Sequence, residues 1–342
     1  MSESNEAARN LVRVAYRLLL NREPENEATI DAHLMAEGAG TAESLRDRLL
    51  FSDEFYILHE IVLGLRPRGE ALKVDPMFLA SEPVARAGSF TDRFGVHTRV
   101  SFLPDDYHQY AGKIGSADGT ADMPMHEKAE LAALLRSVTA ATGQFAAAEL
   151  GAGWGPWVVL GGHLARERGL PVTLMAVEGS SDHAAFIHTH MADNGFDPAD
   201  HHVLHAIAGS LDGVAHFPRL QSPSKEWGAA ASYAPDGTEA MEEVASFSLP
   251  TLLGRMPTLD FLHCDVQGAE ADLAESGIAA LNDRVRRVCI GTHGRAIEER
   301  LHLLFAGHNW TLEADQPCCI HQQGRQVVLT ADGVQVWRNS AL

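Results

Sequence analysis

From Met125 onward the chain alternates short apolar runs with helix-length amphipathic segments, and this alternation restricts the fold more than any other feature. Runs of strand length lie at Ala146–Leu150, Val172–Val177, Val203–Ala208, Leu259–Cys264 and Val285–Ile290. Helical patterns at 156–168, 182–194, 269–276 and 295–306 separate most of them, and Leu131, Leu134, Leu135 and Val138 mark a further helix ahead of the first run. Gly169, Gly195, Gly277 and Gly307 each follow a predicted helix, where a left-handed residue commonly ends one. Repeated strand–helix units demand a parallel sheet covered by helices on both faces, so the fold class is α/β. The last part differs: Trp310–Ala314, Val327–Thr330 and Val334–Trp337 read as strands separated only by turns. They predict an antiparallel hairpin closing one side of the parallel sheet.

The turn after the first strand carries the chemistry. Glu149-Leu150-Gly151-Ala152-Gly153-Trp154-Gly155 is closed by Pro156 at the first turn of a helix. Alternate glycines let backbone come close to a nucleoside, because no Cβ stands in the way. Pro156 occupies the place where the dinucleotide fingerprint G-x-G-x-x-G has its third glycine, which disfavours a nicotinamide-dependent oxidoreductase. Glu149 opens the turn, where it can face a cation.

Composition is that of an ordinary globular protein and disfavours some partners. The 342 residues give room for one large domain and a small one. With 27 basic against 46 acidic residues the formal charge is −19, a poor match for nucleic acid or anionic membranes. No apolar run is long enough to span a bilayer, and the first residues lack a secretory pattern. Cys264, Cys289, Cys318 and Cys319 form no C-x-x-C pair, so reduced thiols in a cytoplasmic protein are expected.

Three segments follow from these patterns: 1–60, a small helical unit; 61–124, a connector or cover; and 125–342, the catalytic domain. In the first, Leu11, Ala15, Leu18 and Leu19 keep helical spacing up to Pro24, a second helix spans 25–37, and Thr41 caps a third that carries Leu45, Leu49 and Leu50. In the second, 90–99 alternates like a short strand, with Arg93, His97 and Arg99 placed either to face a pocket or to pair at the surface.

Ligands of open α/β sheets lie at the carboxyl ends of the strands, so the residues there are the candidate site. Glu178 ends the second strand, offset from the glycine turn about as the ~20 residues seen for ribose-binding acids. Gly209, after the third strand, would lie beside a nucleobase. Asp265 ends the fourth strand, with His263 on its face by the two-residue period and Glu270 just beyond. His293 ends the fifth, and Glu298 lies about one helical turn further on. The remaining histidines, including His188, His190 and the His201–His202 pair, show no metalloprotease spacing and read as surface residues.

These motifs resemble two known families. The Glu-x-Gly-x-Gly turn is similar to the first motif of S-adenosylmethionine methyltransferases. With Glu178, with Asp265-Val266-Gln267-Gly268-Ala269-Glu270 and with a fifth strand ending in Thr292-His293, residues 146–315 resemble the FkbM family of methyltransferases. The segment Leu249–Leu253 also fits. The resemblance implies a Rossmann-like seven-stranded sheet, S-adenosylmethionine as donor, and O-methylation of a sugar, glycan or natural-product hydroxyl, with N-methylation of an amino sugar as the alternative. By position, Glu149, Gly151, Gly153, Gly155, Glu178 and Gly209 become cofactor contacts, and Asp265 falls at both the cofactor and the reaction. The N-terminal string Ala15–Pro24, with Ser52–Phe55, resembles a phycobilisome-linker-like helical domain of unknown function often fused to bacterial glycan-modifying enzymes. That implies attachment or assembly, through a partner or a homo-oligomer; a non-catalytic interaction protein is the competing class.

One departure bears on chemistry. Many FkbM members carry Glu where this chain has Gln267, and an amide serves neither as base nor as a strong metal ligand. Asp265, Glu270 and His293 could still hold one Mg²⁺, although salt bridging is an equal reading of the same three residues. An alcohol acceptor must lose its proton, and His293 is the first candidate base, with Asp265 the second or its orienting partner. A long irregular segment from Phe217 to Gly237 reads as a lid, in which Trp227 and Tyr233 would stack on a sugar while Lys225 and Glu226 bond its hydroxyls.

Overall fold

A computed structural model describes residues 3–20, 23–24, 26–35, 45, 49, 74–116, 128–234, 237, 240–323 and 326–342. The chain divides into two compact units, Met1–Glu70 and Ala71–Leu342. In the first, α1 (Glu3–Leu20) and α2 (Glu27–Met35) pack through Val12, Tyr16 and Ile30, joined by Leu45 and Leu49. The buried stripe is Val12–Tyr16 and not Leu11, which is 40% exposed. The expected cap at Thr41 and the Ser52–Phe55 motif lie outside the described residues.

The second unit opens with a hairpin, β1 (Ser89–Thr91) and β2 (His97–Arg99). Arg99 pairs with Asp193, which is the surface-pairing alternative, whereas His97 Nδ1 meets the buried hydroxyl of Thr91. Next come α3 (Lys128–Ala140), β3 (Phe145–Leu150), α4 (Pro156–Glu167), β4 (Val172–Glu178) and α5 (Ser181–Asp193). They are followed by β5 (His202–His205), β6 (Ile207–Ala208), β7 (Gly213–Pro218), β8 (Met241–Phe247), α6 (Leu249–Leu253) and β9 (Phe261–Cys264). The chain then forms α7 (Glu270–Arg284), β10 (Arg287–Thr292), α8 (Arg295–Gly307), β11 (Trp310–Gln316), β12 (Cys319–Gln323), β13 (Gln326–Ala331) and β14 (Gly333–Asn339).

Seven strands form the central sheet in the order β11-β14-β10-β9-β3-β4-β5. The five from β10 to β5 pair in parallel, whereas β14 runs antiparallel to both β10 and β11. The predicted α/β class therefore holds, with a mostly parallel sheet. All six residues of β3 are buried because helices cover both its faces, as a central parallel strand requires. One core joins Ala147, Phe145 and Phe261 to α3, α4 and α5; the other joins Ala146, Ala148 and Leu262 to α6, α7 and α8.

Four local expectations need correction. The third predicted strand breaks at Ala206: β5 stays in the main sheet, while β6 joins β7 and β8 in a separate three-stranded sheet. The irregular segment is thus shorter than expected, since Phe217 lies within β7 and is buried against Val244. Val327–Thr330 belongs to a two-stranded ribbon, β12–β13, outside the main sheet, so β11 and β14 close the sheet without it. Gly277 is not a helix end but lies inside α7, where a Cβ would come within 2.5 Å of Leu249, so it permits close packing of α6 on α7.

Candidate functional site

The chain leaves β3 in the middle of the sheet, builds outward through β4 and β5, and returns on the other side at β9. That reversal opens a crevice at the carboxyl ends of β3 and β9. A cleft of about 530 Å³ lies there, lined among others by Glu130, Glu149, Gly151, Gly153, Glu178, Gly209, Trp227, Tyr233, His263, Asp265 and Gln267. Sequence-distant strand ends thereby converge on one site.

The glycine turn is built by close approach. Gly151, Gly153 and Gly155 have φ of 69°, 56° and 73°, a left-handed region that suits residues without a Cβ. A Cβ on Gly151 would sit 1.7 Å from the backbone oxygen of Asp265, so glycine allows the turn to lie against the end of β9. The amides of Gly151 and Ala152 donate to Val177 O, and Asp265 N donates to Leu150 O, tying the turn to both neighbouring strands.

Two acids support this turn from below. Glu178 accepts from Gly153 N and from Ser180 N, each at 2.8 Å. Glu149 Oε2 accepts from Trp157 N at 3.1 Å and Val158 N at 2.9 Å, satisfying free amides at the start of α4. Burial pushes the Glu149 carboxyl up to about 8, against the opposing pull of His263 and those two amides.

One wall of the cleft is aromatic. Trp227 stacks on His183 at 4.2 Å and 9°, and meets Trp154 edge-on at 4.8 Å. Its ring lies 3.2 Å from the Cβ that Gly153 lacks, so it packs over the glycine turn. Tyr233 OH bonds Ser246 Oγ at 2.8 Å and fills the space beside Gly209, where a Cβ would be 1.9 Å away. Lys225 does not line the cleft, because its Nζ pairs with Asp105 at 2.5 Å. Glu226 does line it, while accepting from Gln221 N and Ser222 N.

Asp265 stands at the β9 end with its side chain about a third exposed. Burial raises its pKa, against the lowering charges of His293 and His263. Gln267 Nε2 donates to Asp265 Oδ1 at 2.8 Å, a contact that a glutamate could not make without like-charge repulsion. Gln267 has φ of 52°, which is unusual for a residue with a side chain and holds the amide over Asp265. His293 Nδ1 is 2.8 Å from Glu270 Oε1, and its Nε2 is 3.5 Å from Asp265 Oδ1. Burial disfavours charge on this ring, but the hydrogen bond to Glu270 and the nearby charges of Asp265 and Asp332 outweigh it and lift the pKa to about 9. His293 is absent from the cleft lining and its pKa is raised, whereas Asp265, the second expected base, lines the cleft.

The same three residues bear on metal binding. Ligand atoms of Asp265, Glu270 and His293 lie within 4.8 Å of one another, and Glu270 Oε2 and His293 Nε2 are buried without a partner. Glu270 Oε1, however, already accepts from Val266 N and Gly268 N as well as facing His293, so it holds the β9–α7 turn. An imidazole is a poor ligand for the hard Mg²⁺ ion, and Gln267 supplies an amide in place of an acid. The donor set fits a proton-bearing ion-pair cluster better than a Mg²⁺ centre.

Sequence reading missed Glu130. It reaches from α3 to His263 Nε2 at 3.0 Å across 133 residues, a contact that no local pattern announces. His190, expected at the surface, is 1% exposed and faces Trp154 O at 3.0 Å; burial takes its pKa down to about 4.

A Jannaschia sp. (strain CCS1) protein described as "Putative methyltransferase" is 31% identical over 222 residues, covering 63% of this chain and 79% of the relative. No protein-family profile matches the chain. Solved structures similar to it include a precorrin-6y C5,15-methyltransferase from Geobacter metallireducens GS-15, at 11% identity and TM-score 0.37, covering 63% of this chain and 90% of that one. Another is a ribosomal protein L11 methylase from Lactobacillus delbrueckii subsp. bulgaricus, at 12% identity and TM-score 0.34, covering 63% and 81%.

Proposed function

We propose that this chain, which belongs to the methyltransferase family of the Jannaschia relative, transfers a methyl group from S-adenosylmethionine to a hydroxyl of a sugar, glycan or natural product. The observation that carries the donor reading is the close approach of Gly151 to Asp265, with Glu178 beneath Gly153. It leaves a backbone-lined cradle open at the carboxyl ends of β3 and β4. Glu178 uses one lone pair of each carboxylate oxygen on the turn, and a second remains for the ribose hydroxyls. Gly209 and its neighbours take the adenine. The affinity to the FkbM family belongs to this proposal and is supported by the Asp265–Glu270 motif and by His293 at the end of β10.

When bound, S-adenosylmethionine supplies an electrophilic methyl on a sulfonium centre. Trp154 and Trp227 hold the acceptor against that methyl and keep water away, and such orientation supplies much of the rate. Asp265 receives the hydroxyl proton at a carboxylate oxygen, helped by a raised pKa that makes it a stronger base than an exposed aspartate. His293, positively charged 3.5 Å from Asp265, positions that carboxylate; Gln267 fixes its rotamer. No step is routed through a metal.

The described cleft-lining residues include no Lys or Arg, which supports a small-molecule or glycan acceptor over nucleic acid. N-methylation of an amino sugar uses the same donor seat and is the second reading, favoured by the same acid-rich lining. The helical unit at 1–60 acts in attachment or assembly, by self-association or through a partner. Four free cysteines support a cytoplasmic setting. No helix among the described residues is long and apolar enough to cross a membrane. Labelled S-adenosylmethionine incubated with the protein and a cell extract tests the reading. A methylated product heavier by about 14 daltons (one CH₂, the net gain of group transfer) is expected, and donor binding without transfer to any extract component would favour the interaction-protein class.

A further inference from the structure

On the donor reading above, we infer that residues 222–231 form a strap that opens and shuts over the donor cleft, with Trp227 as its gating residue and the Lys225–Asp105 ion pair as its clasp. The strap belongs to the connection between β7 and β8, and it crosses the cleft from one rim to the other. On the β4 side, Pro223 O faces His183 Nε2 at 2.8 Å, and the Trp227 ring stacks on the same imidazole, which α5 carries. On the β9 side, a Cβ at Gly228 would lie 3.7 Å from Gln267 Oε1. Glu226, Trp227 and Ala229–Ala231 line the cleft between these rims. Trp227 also presses on the glycine turn, 3.2 Å from the Cβ that Gly153 lacks. A nucleoside reaching the Gly153 backbone therefore needs this ring to lift, and the ring's return shuts the ligand in.

The strap is bonded as a body that swings as a unit. Glu226 accepts from Gln221 N and Ser222 N, Lys225 N donates to Ser222 O, and Trp227 Nε1 donates to Ser224 O, so the strap holds its own shape. At its base, His216 and Ser232 exchange both backbone bonds, and Arg219 N donates to Ala240 O, which fixes the hinge beside β7 and β8. Across the cleft, among the described residues, no strand ladder ties the strap down; side-chain contacts do. One of them joins Lys225 Nζ to Asp105 Oδ2 at 2.5 Å, with the two side chains 50% and 72% exposed. Asp105 lies 120 residues away in the segment ahead of α3, so the pair binds the strap to a separate part of the wall. An exposed ion pair shifts an equilibrium by only about twofold to fivefold and is weakened by salt, which suits a clasp that must release. Trp227 contributes the larger hold, through its stack on His183 and its edge contact with Trp154 at 4.8 Å.

Surface plasmon resonance on the immobilised full chain, with S-adenosylhomocysteine as the probe, reads entry and exit separately. Lys225→Ala and Asp105→Ala should each raise the on-rate and the off-rate by about twofold to fivefold, and the two together should do no more than either alone. Exchanging the charges, Lys225→Asp with Asp105→Lys, should restore the unaltered rates. Raising salt from about 0.05 to about 0.5 M should speed exchange in the unaltered protein but not in Lys225→Ala. Trp227→Ala should raise both rates by more than about tenfold and keep Kd within about threefold, since a gate changes entry and exit together. Should Trp227→Ala not fold, the charge exchange carries the test. Unchanged rates in the Lys225 and Asp105 variants overturn the clasp. Loss of affinity through the off-rate alone in Trp227→Ala overturns the gate, because it marks a plain ligand contact. Failure of the unaltered protein to bind S-adenosylhomocysteine overturns the donor reading and the strap with it.

Discussion

Replacing Gly151 by alanine is the sharpest structural perturbation of this site, and Gly169 provides its control. Both residues have left-handed φ, 69° and 75°. Each therefore incurs the ~1–2 kcal/mol that a Cβ costs in that conformation. They differ in surroundings: nothing lies within 4 Å of a Cβ at Gly169, whereas one at Gly151 would be 1.7 Å from Asp265 O and 2.8 Å from its carbonyl carbon. Relieving that overlap requires the end of β9 to move, at a further cost of about 1–3 kcal/mol for overpacking. Gly151→Ala is thus expected to lose about 2–5 kcal/mol in urea unfolding, from, against about 1–2 for Gly169→Ala. Because the displaced backbone carries Asp265, Gly151→Ala should also weaken S-adenosylmethionine binding by more than about tenfold in calorimetry, while Gly169→Ala should not. Equal stability losses and equal affinities in the two variants would refute the reasoning, since they would mean that the turn does not press on β9.

Three further outcomes follow from the cluster around Asp265. Gln267→Glu sets a second carboxylate against Asp265 in place of the 2.8 Å amide contact, so methyl transfer should fall by at least about tenfold ( relates this to barrier height) with little change in donor affinity; full turnover in a kinetic assay counts against Gln267 as the orienting group. His293 has its pKa raised from 6.5 to about 9, so its stabilising contribution is complete below 6.5 and is lost as pH rises through about 9. The melting temperature should accordingly fall across that window, and His293→Gln should flatten the fall; an unchanged pH profile would show that the ion pair with Glu270 contributes nothing. Finally, EDTA should leave turnover unaltered, because Glu270 Oε1 is taken by Val266 N, Gly268 N and His293. Loss of activity restored by Mg²⁺ would mean that the unpartnered Glu270 Oε2 and His293 Nε2 are ligands after all.

The periodic parts of the molecule were legible in the sequence, and the long-range parts were not. The strands at β3, β9 and β10 announce themselves as apolar runs because both faces are buried. The strand ends at Glu178 and Asp265 then follow from topology alone, and both reach the cleft. Residues 203–208 read as one strand because Ala206 is as apolar as its neighbours, and the sequence holds no sign that pairing partners change there. Lys225 looked like an acceptor ligand because Asp105, its partner, is 120 residues away. Glu130 lay hidden for the same reason: an acid near the start of a helix is common, and only folding brings it to His263. His293 was correctly placed at a strand end, but its chemistry depends on Glu270 and Asp332, which set its charge from other segments.

Titration of the protein with S-adenosylmethionine, before and after Gly153→Arg, tests the central claim most directly. Gly153 lies between Glu178 and the ring of Trp227, so an arginine there has no room within the cradle. Saturable binding by the unaltered protein that disappears in the folded variant is the expected result. No binding by the unaltered protein, or equal binding by Gly153→Arg, would contradict the assignment of this cleft to the methyl donor.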